Sequence, residues 1–407
     1  MRLSNLTTAA VLALSAGVLS GCGAAGQDGA QQAAGTVRVA APAETATAVA
    51  TATTLDAQVT DSYQSIRDAL DDSDLAEVGI IVGNANGELF RYSPDRDGDG
   101  TGDYDFTEQV PLASASKLLA ATVAYRMIQA GKITAAAQPQ QYLNFWTNSG
   151  TLAGESLEIL LSFRSGFNET PDRTYLVGCE GGVAYTINTC ARRIYNDYGN
   201  GHLGQPADTA PGSTLSYGEE HMQIAGAMML GAEGSGNWND LFNKYVRDAL
   251  GLTPQEQANF SIHWNTPNYN PWVSAGGIAT ANDYALFLYK LFRGDLVSNL
   301  DDFFAPRTLG LPRSYIPEAI ANTGDTWHYA QGSWVECPAG TDASNFNTLC
   351  AGKKINSSPG AFGFTPWVDR TNGYWAIIAT NEQNGGSLLA VPLEQQVQPL
   401  IVAALQS

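Results

Sequence analysis

The chain is 407 residues long, 44% hydrophobic and 15% charged, with a formal net charge of −19. That length and apolar fraction support a sizeable packed core and exclude a globally disordered chain. The acidic balance argues against nucleic acid as a partner, because phosphate binding needs clustered Lys and Arg; it fits a solubilising surface outside the cytoplasm.

Arg2 precedes an apolar run, Ala9 to Leu19, that is too short to span a bilayer as a mature helix. The run ends in Leu19-Ser20-Gly21-Cys22, which resembles the bacterial lipobox. That resemblance implies a lipoprotein signal peptide over 1–21, acylation of Cys22 and attachment to a lipid bilayer. An ordinary signal peptide with an incidental cysteine is the other reading. The expected location is that of an exported bacterial lipoprotein, in the outer membrane, the periplasm or at the cell surface. Gly23, in place of Asp, permits outer-membrane delivery. Residues 22–58 are rich in Ala, Thr, Gly and Gln, with a low-complexity stretch at Thr45 to Thr54, and read as a flexible tether.

A globular pattern runs from about 59 to 407. Ser62 to Leu70 predicts a helix. Val78 to Val82, the turn Asn84-Ala85-Asn86-Gly87 and Glu88 to Tyr92 predict a β-hairpin. Residues from about 118 to 296 carry helical periods broken by Gly/Asn/Pro loops. Phe364 to Val368 and Tyr374 to Thr380 flank Arg370-Thr371-Asn372-Gly373 as a second hairpin, and Leu393 to Leu405 predicts a closing helix. Strands at both ends with helices between predict an α/β (α+β) fold, in which one antiparallel sheet built from both termini is flanked by helices and carries an all-helical insertion.

In Asp95-Arg96-Asp97-Gly98-Asp99-Gly100-Thr101-Gly102-Asp103, carboxylates alternate and a glycine stands at the sixth place, as in the first half of an EF-hand loop. Asp95, Asp97, Asp99 and Asp103 are therefore candidate ligands of a structural calcium. The twelfth position is Phe106 rather than Glu, and a solvated acidic turn is the alternative. Setting Cys22 aside leaves Cys179, Cys190, Cys337 and Cys350, and proximity pairs them as Cys179–Cys190 and Cys337–Cys350. Other connectivities stay open on sequence alone, but an even set agrees with an oxidising compartment. Zinc is disfavoured, since no C-x-x-C is present.

Pro111-Leu112-Ala113-Ser114-Ala115-Ser116-Lys117 leads into a helix with Leu118, Leu119, Val123 and Met127 on an apolar face. Three residues apart, Ser114 and Lys117 project from one side of that helix. A serine hydroxyl needs a neighbouring base to become a nucleophile, and a buried lysine can serve or assist. Alone, S-x-x-K is a weak signal. The stretch Val110 to Leu143 together with Leu160 to Phe167, Pro211-Gly212-Ser213-Thr214-Leu215-Ser216-Tyr217 and Ser274-Ala275-Gly276-Gly277-Ile278-Ala279-Thr280 resembles the serine β-lactamase and penicillin-binding-protein family. The branch it resembles contains class C β-lactamases, DD-peptidases and related esterases.

The resemblance implies that Ser114 is the acylated nucleophile, Lys117 its proton partner and Tyr217 a base or proton shuttle facing the serine. It places the oxyanion hole at the backbone N–H groups of Ser114 and Ala361, and substrate contacts at Glu219, Ser358 and Gly360. Two departures stand out. Glu219 replaces the asparagine of Y-x-N, so an acceptor stands where an amide would donate, and a carboxylate beside Lys117 raises the lysine's pKa. Ser358-Pro359-Gly360 replaces the motif that starts with Lys or His, so the cation that would hold a substrate carboxylate is lost. His202, His221, His263 and His328 form no triad spacing, and no G-x-S-x-G is present. Trp272, Trp327, Trp334 and Trp367 are candidates for a groove, though core positions are commoner.

The expected function is a serine hydrolase acting through an acyl-enzyme on a small ester or amide, with no cofactor required. The alternatives are a β-lactamase or DD-peptidase acting on penicillins or cell-wall peptides, and a binding lipoprotein on the same fold that has lost turnover.

Overall fold

The computed structural model describes residues 62–147, 149–150, 152–167, 179–199, 209–234, 236–264 and 269–407. The predicted signal peptide, Cys22 and the predicted tether lie outside them.

The first hairpin forms as the sequence predicts, from β1 (Gly79–Asn84) and β2 (Gly87–Tyr92). The second pairs β11 (Thr365–Asp369) with β12 (Tyr374–Ala379). The two hairpins join through β1 and β12, antiparallel and in register from Gly79↔Ala379 to Asn84↔Tyr374. With β8 (His328–Tyr329), β9 (Trp334–Val335) and β10 (Ile355–Ser357) they make a seven-stranded sheet in the order β2-β1-β12-β11-β10-β9-β8. Side chains alternate across it: Ile80, Val82 and Ile378 enter one apolar cluster, while Ile81, Ile377 and Ala379 enter the other. This is the period-2 pattern of a sheet covered on both faces.

On the first face lie α1 (Gln64–Asp71) and the long C-terminal helix α8 (Gly386–Gln406). Helix α8 starts seven residues before the predicted Leu393 and runs through Pro392 and Pro399. Each internal proline costs about 3 kcal/mol. Burial of Val391, Leu393, Val397 and Ile401 offsets that, at about 1.5–3 kcal/mol per large apolar side chain. The same helix is long and apolar enough to cross a membrane, but its buried side chains pack into the domain core.

On the second face lie α2 (Ser116–Gln129) and α7 (Ala281–Phe292). Helix α2 is rich in Ala and Leu and buried on nearly every side. The insertion is mainly helical, but not wholly as predicted. A three-stranded sheet joins β3 (Val110–Pro111), β6 (Gly277–Ala279) and β5 (His263–Trp264), and β4 (Leu215–Ser216) runs parallel to β7 (Arg313–Tyr315). These short strands escape periodicity because two or three residues cannot carry it. They matter for function: β3–β6 fixes the approach to Ser114, and β4–β7 fixes the approach to Tyr217.

Both disulfides, Cys179–Cys190 and Cys337–Cys350, form as proximity predicted.

Candidate active site

Ser114 stands in a single 3-10 turn, Ala113–Ala115, between β3 and α2. Its neighbour Ala113 has φ 43, a left-handed backbone that a non-glycine residue adopts only under constraint. The constraint is visible on each side. The Leu112 N–H donates to Gly277 O at 2.8 Å, and the Gly277 N–H donates to Ser116 Oγ at 3.0 Å. Tyr284 Oη donates to Ala115 O at 2.8 Å. Ser116 is fully buried and anchors β6.

Lys117 is fully buried, and its contacts define the site. Its Nζ lies 2.9 Å from Ser114 Oγ, 3.2 and 3.3 Å from the two Glu219 oxygens, and 3.3 Å from Ser274 O. It also stands 4.7 Å from the centroid of the Tyr217 ring. Burial alone pulls a lysine's pKa down. Here the Glu219 charge, followed by Tyr217, outweighs burial and holds Lys117 above its ordinary value, so it rests as an ammonium.

Tyr217 arrives from β4, its N–H donating to Tyr315 O at 3.1 Å. The ring stacks on Trp334, with centroids 5.3 Å apart, and meets Phe163 edge-on. Burial pushes its phenol above the ordinary value, against the pull of Lys117 and of hydrogen bonding to Ser114. Glu219 follows at the start of α5 (Glu220–Glu233) and also takes a hydrogen bond from Ser274 Oγ. Ser274 is the functional neighbour that sequence reasoning missed: it sits in a segment that marked the family, yet only the fold shows both its hydroxyl and its carbonyl meeting the pair.

A cavity of about 310 Å³ opens over Ser114, Tyr217 and Glu219. Trp272, Tyr315, Pro317, Ile320, Trp334 and Phe362 supply most of its apolar wall, and Ala361 completes it beside Ser114. Of the four candidate groove tryptophans, Trp272 and Trp334 line it, while Trp327 and Trp367 are core. Ser114 and Ala361, whose N–H groups are the expected oxyanion donors, both line this cavity. Among the described residues, the only charged side chain on the wall is Glu219, and no Lys, Arg or His lines it.

Two of the predicted substrate contacts do not line this cavity. Ser358 is buried, with Oγ at 3.1 Å from Ser114 O and 3.3 Å from Gly332 O, so its hydroxyl ties the strand to the nucleophile's backbone. Gly360 packs so closely that a Cβ there would lie 2.3 Å from Leu112 O. Neither lines the cavity; Pro359 between them does. Lys354, close by in sequence, pairs with Asp301 at 3.3 Å instead.

His221 is buried, with Nδ1 2.6 Å from Ser165 Oγ, and burial with the nearby Lys117 charge pushes its pKa down to about 3. It is a neutral core histidine. His263 and His328 bond backbone carbonyls, and His202 lies outside the described residues. Of the candidate calcium ligands, Asp95, Asp97 and Asp99 gather their oxygens within 4.8 Å. Asp103 turns away to accept from the Arg96 N–H at 3.1 Å. The Arg96 guanidinium reaches the carbonyls of Leu70, Leu75 and Ala76, pinning this loop to the end of α1.

Fold and constellation together describe a serine hydrolase built around a Ser-x-x-Lys pair. A β-lactamase family model matches residues 64–396, and the chain belongs to that family of serine hydrolases. No curated protein sequence matches significantly. Among solved structures, EstCE1, a hydrolase with promiscuous acyltransferase activity, is similar at 17% identity and TM-score 0.61, over 87% of this chain and 100% of that one. Simvastatin synthase from Aspergillus terreus is similar at 15% identity and TM-score 0.56, over 86% and 99%. A penicillin-binding protein from Bacillus halodurans is similar at 14% identity and TM-score 0.55, over 81% and 98%. At these identities the likeness establishes the fold alone.

Proposed function

We propose that the protein is an esterase that forms an acyl-enzyme on Ser114 with small, uncharged esters. Ser114 is the nucleophile, Lys117 its proton partner and Tyr217 the proton shuttle; the N–H groups of Ser114 and Ala361 hold the oxyanion. The observation that carries this reading is an Oγ at 2.9 Å from Lys117 Nζ beneath a cavity whose only charged wall group among the described residues is a carboxylate. A penicillin or a cell-wall peptide brings its own carboxylate, which meets no cation on the described cavity wall and an unfavourable neighbour in Glu219. The β-lactamase and DD-peptidase readings therefore rank below the esterase.

A fluorophosphonate probe should label the protein and fail to label Ser114→Ala. Short neutral p-nitrophenyl esters should turn over faster than nitrocefin. An unlabelled wild type would sink the enzymatic reading in favour of a binding protein, and faster nitrocefin hydrolysis would reverse the ranking.

The proposal extends to export and anchoring through Cys22. The two disulfides support an oxidising compartment. Palmitate incorporation that survives Cys22→Ser would refute the anchor.

A further inference from the structure

We infer that Glu219 is the terminal proton acceptor of this site, acting through Lys117, and so replaces the free amine or phenolate that a Ser-x-x-Lys enzyme would otherwise use. The inference rests on the esterase reading and gives a role to the residue that departs most from the Y-x-N pattern. Both Glu219 oxygens lie within hydrogen-bond reach of Nζ, so this carboxylate is the group placed to take a proton from it. Lys117 already carries its full complement of protons, held there by Glu219. Tyr217 keeps its phenol proton because burial disfavours the phenolate. Tyr329, packed edge-on to Tyr217, is pushed up by burial and then by Tyr217 and Glu219. His221 is neutral, but its Nδ1 is taken up with Ser165 and it does not line the cavity. Two further carboxyls complete the surroundings: Glu180, raised to about 7 by burial and by the Glu220 and Glu219 charges, and Glu220 itself on α5. Neither has a hydrogen bond to Lys117, whereas both oxygens of Glu219 do.

The step balances without a co-reactant. Nζ first gives a proton to a Glu219 oxygen 3.2 Å away, and the lone pair so exposed takes the Ser114 proton across 2.9 Å as Oγ bonds to the acyl carbon. Lys117 is an ammonium before and after. Glu219 becomes a neutral carboxylic acid, and the oxyanion takes the negative charge. When the tetrahedral intermediate collapses, the proton returns through Lys117 and the Tyr217 hydroxyl to the leaving alkoxide. Water repeats the sequence in deacylation. Ser274 positions both partners, its hydroxyl on Glu219 and its carbonyl on Nζ. Glu219 is a positioning and relay residue, since the group touching the reacting oxygen is Lys117.

The test is the pH dependence of kcat/KM for a neutral p-nitrophenyl ester, wild type against Glu219→Gln. The variant should lose about 100-fold or more near pH 7. It should recover activity in the alkaline range, where Lys117, freed of its carboxylate partner and left with the downward pull of burial, becomes a free amine. An unchanged profile, or a variant faster than wild type near pH 7, overturns the relay and returns the base to Lys117 or Tyr217. A proton inventory in H2O–D2O mixtures needs no variant. Two protons in flight bow the plot, and a straight line overturns the relay. Fluorophosphonate labelling separates the two levels: an unlabelled wild type removes the esterase reading and the relay together, while a labelled wild type with an unchanged Glu219→Gln profile removes the relay alone.

Discussion

Replacing Gly332 by alanine perturbs the Ser114–Lys117 helix from behind without touching the cavity. Gly332 has φ +77, and a Cβ there would lie 2.5 Å from Ala121 Cβ and 2.5 Å from Lys117 O. A non-glycine residue in that backbone region costs about 1–3 kcal/mol. Forcing α2 to make room costs about 1–3 kcal/mol more, as overpacking of a filled core does. Gly340 separates the two effects, since it has φ +76 and nothing within 4 Å of its Cβ position. Urea unfolding should therefore show Gly332→Ala less stable than Gly340→Ala by about 1–3 kcal/mol. Ester turnover should fall about 100-fold in Gly332→Ala, because a shift of about 1 Å in a reacting group is costly, and should survive in Gly340→Ala. Equal losses of stability in the two variants, or full turnover by Gly332→Ala, would refute the reasoning.

Tyr217→Phe keeps the stack on Trp334 and removes only the hydroxyl, so kcat should drop about 10²–10⁴-fold with thermal stability nearly unchanged; a kcat within a few-fold of wild type would remove Tyr217 from proton transfer. Ser358→Ala should cost about 0.5–1.5 kcal/mol through the lost backbone tie and leave KM for neutral esters alone, whereas a large rise in KM would restore Ser358 to the substrate. Glu394 is buried, and burial, then the neighbouring Glu336, holds its carboxyl well above the ordinary 4.5. The folded chain thus keeps a proton that the unfolded chain releases, and this contribution is complete below 4.5 and lost as pH rises through the folded value. Glu394→Gln cannot ionise, so its urea midpoint relative to wild type should climb as pH rises above 4.5, and an unchanging difference would contradict the buried-acid account.

The two hairpins were legible in the sequence because strand alternation and Asn-Gly turns are local signals. Ser-x-x-Lys was legible for the same reason, since helical spacing alone brings Ser114 and Lys117 to one side. What escaped was set by long-range packing. Helix α8 continues through Pro392 and Pro399 because the sheet beneath it rewards burial, which no local propensity reports. Ser358 stands at the aligned place, but its hydroxyl is taken up by Ser114 O and Gly332 O, carbonyls that only the fold brings to it. The cavity wall from Tyr315 to Ile320 comes from a segment with no motif, brought in by the β4–β7 pairing. Glu219 was visible as a departure, whereas its shared grip on Lys117 with Ser274 required three separate segments to meet.

The central claim is that Ser114 carries the acyl group. Rapid-quench mass spectrometry of the enzyme mixed with a neutral p-nitrophenyl ester tests it directly. The account predicts a burst of p-nitrophenol stoichiometric with enzyme and an acyl adduct on the tryptic peptide that contains Ser114, both absent in Ser114→Ala. Turnover that continues in Ser114→Ala, or an adduct on another residue, would contradict it.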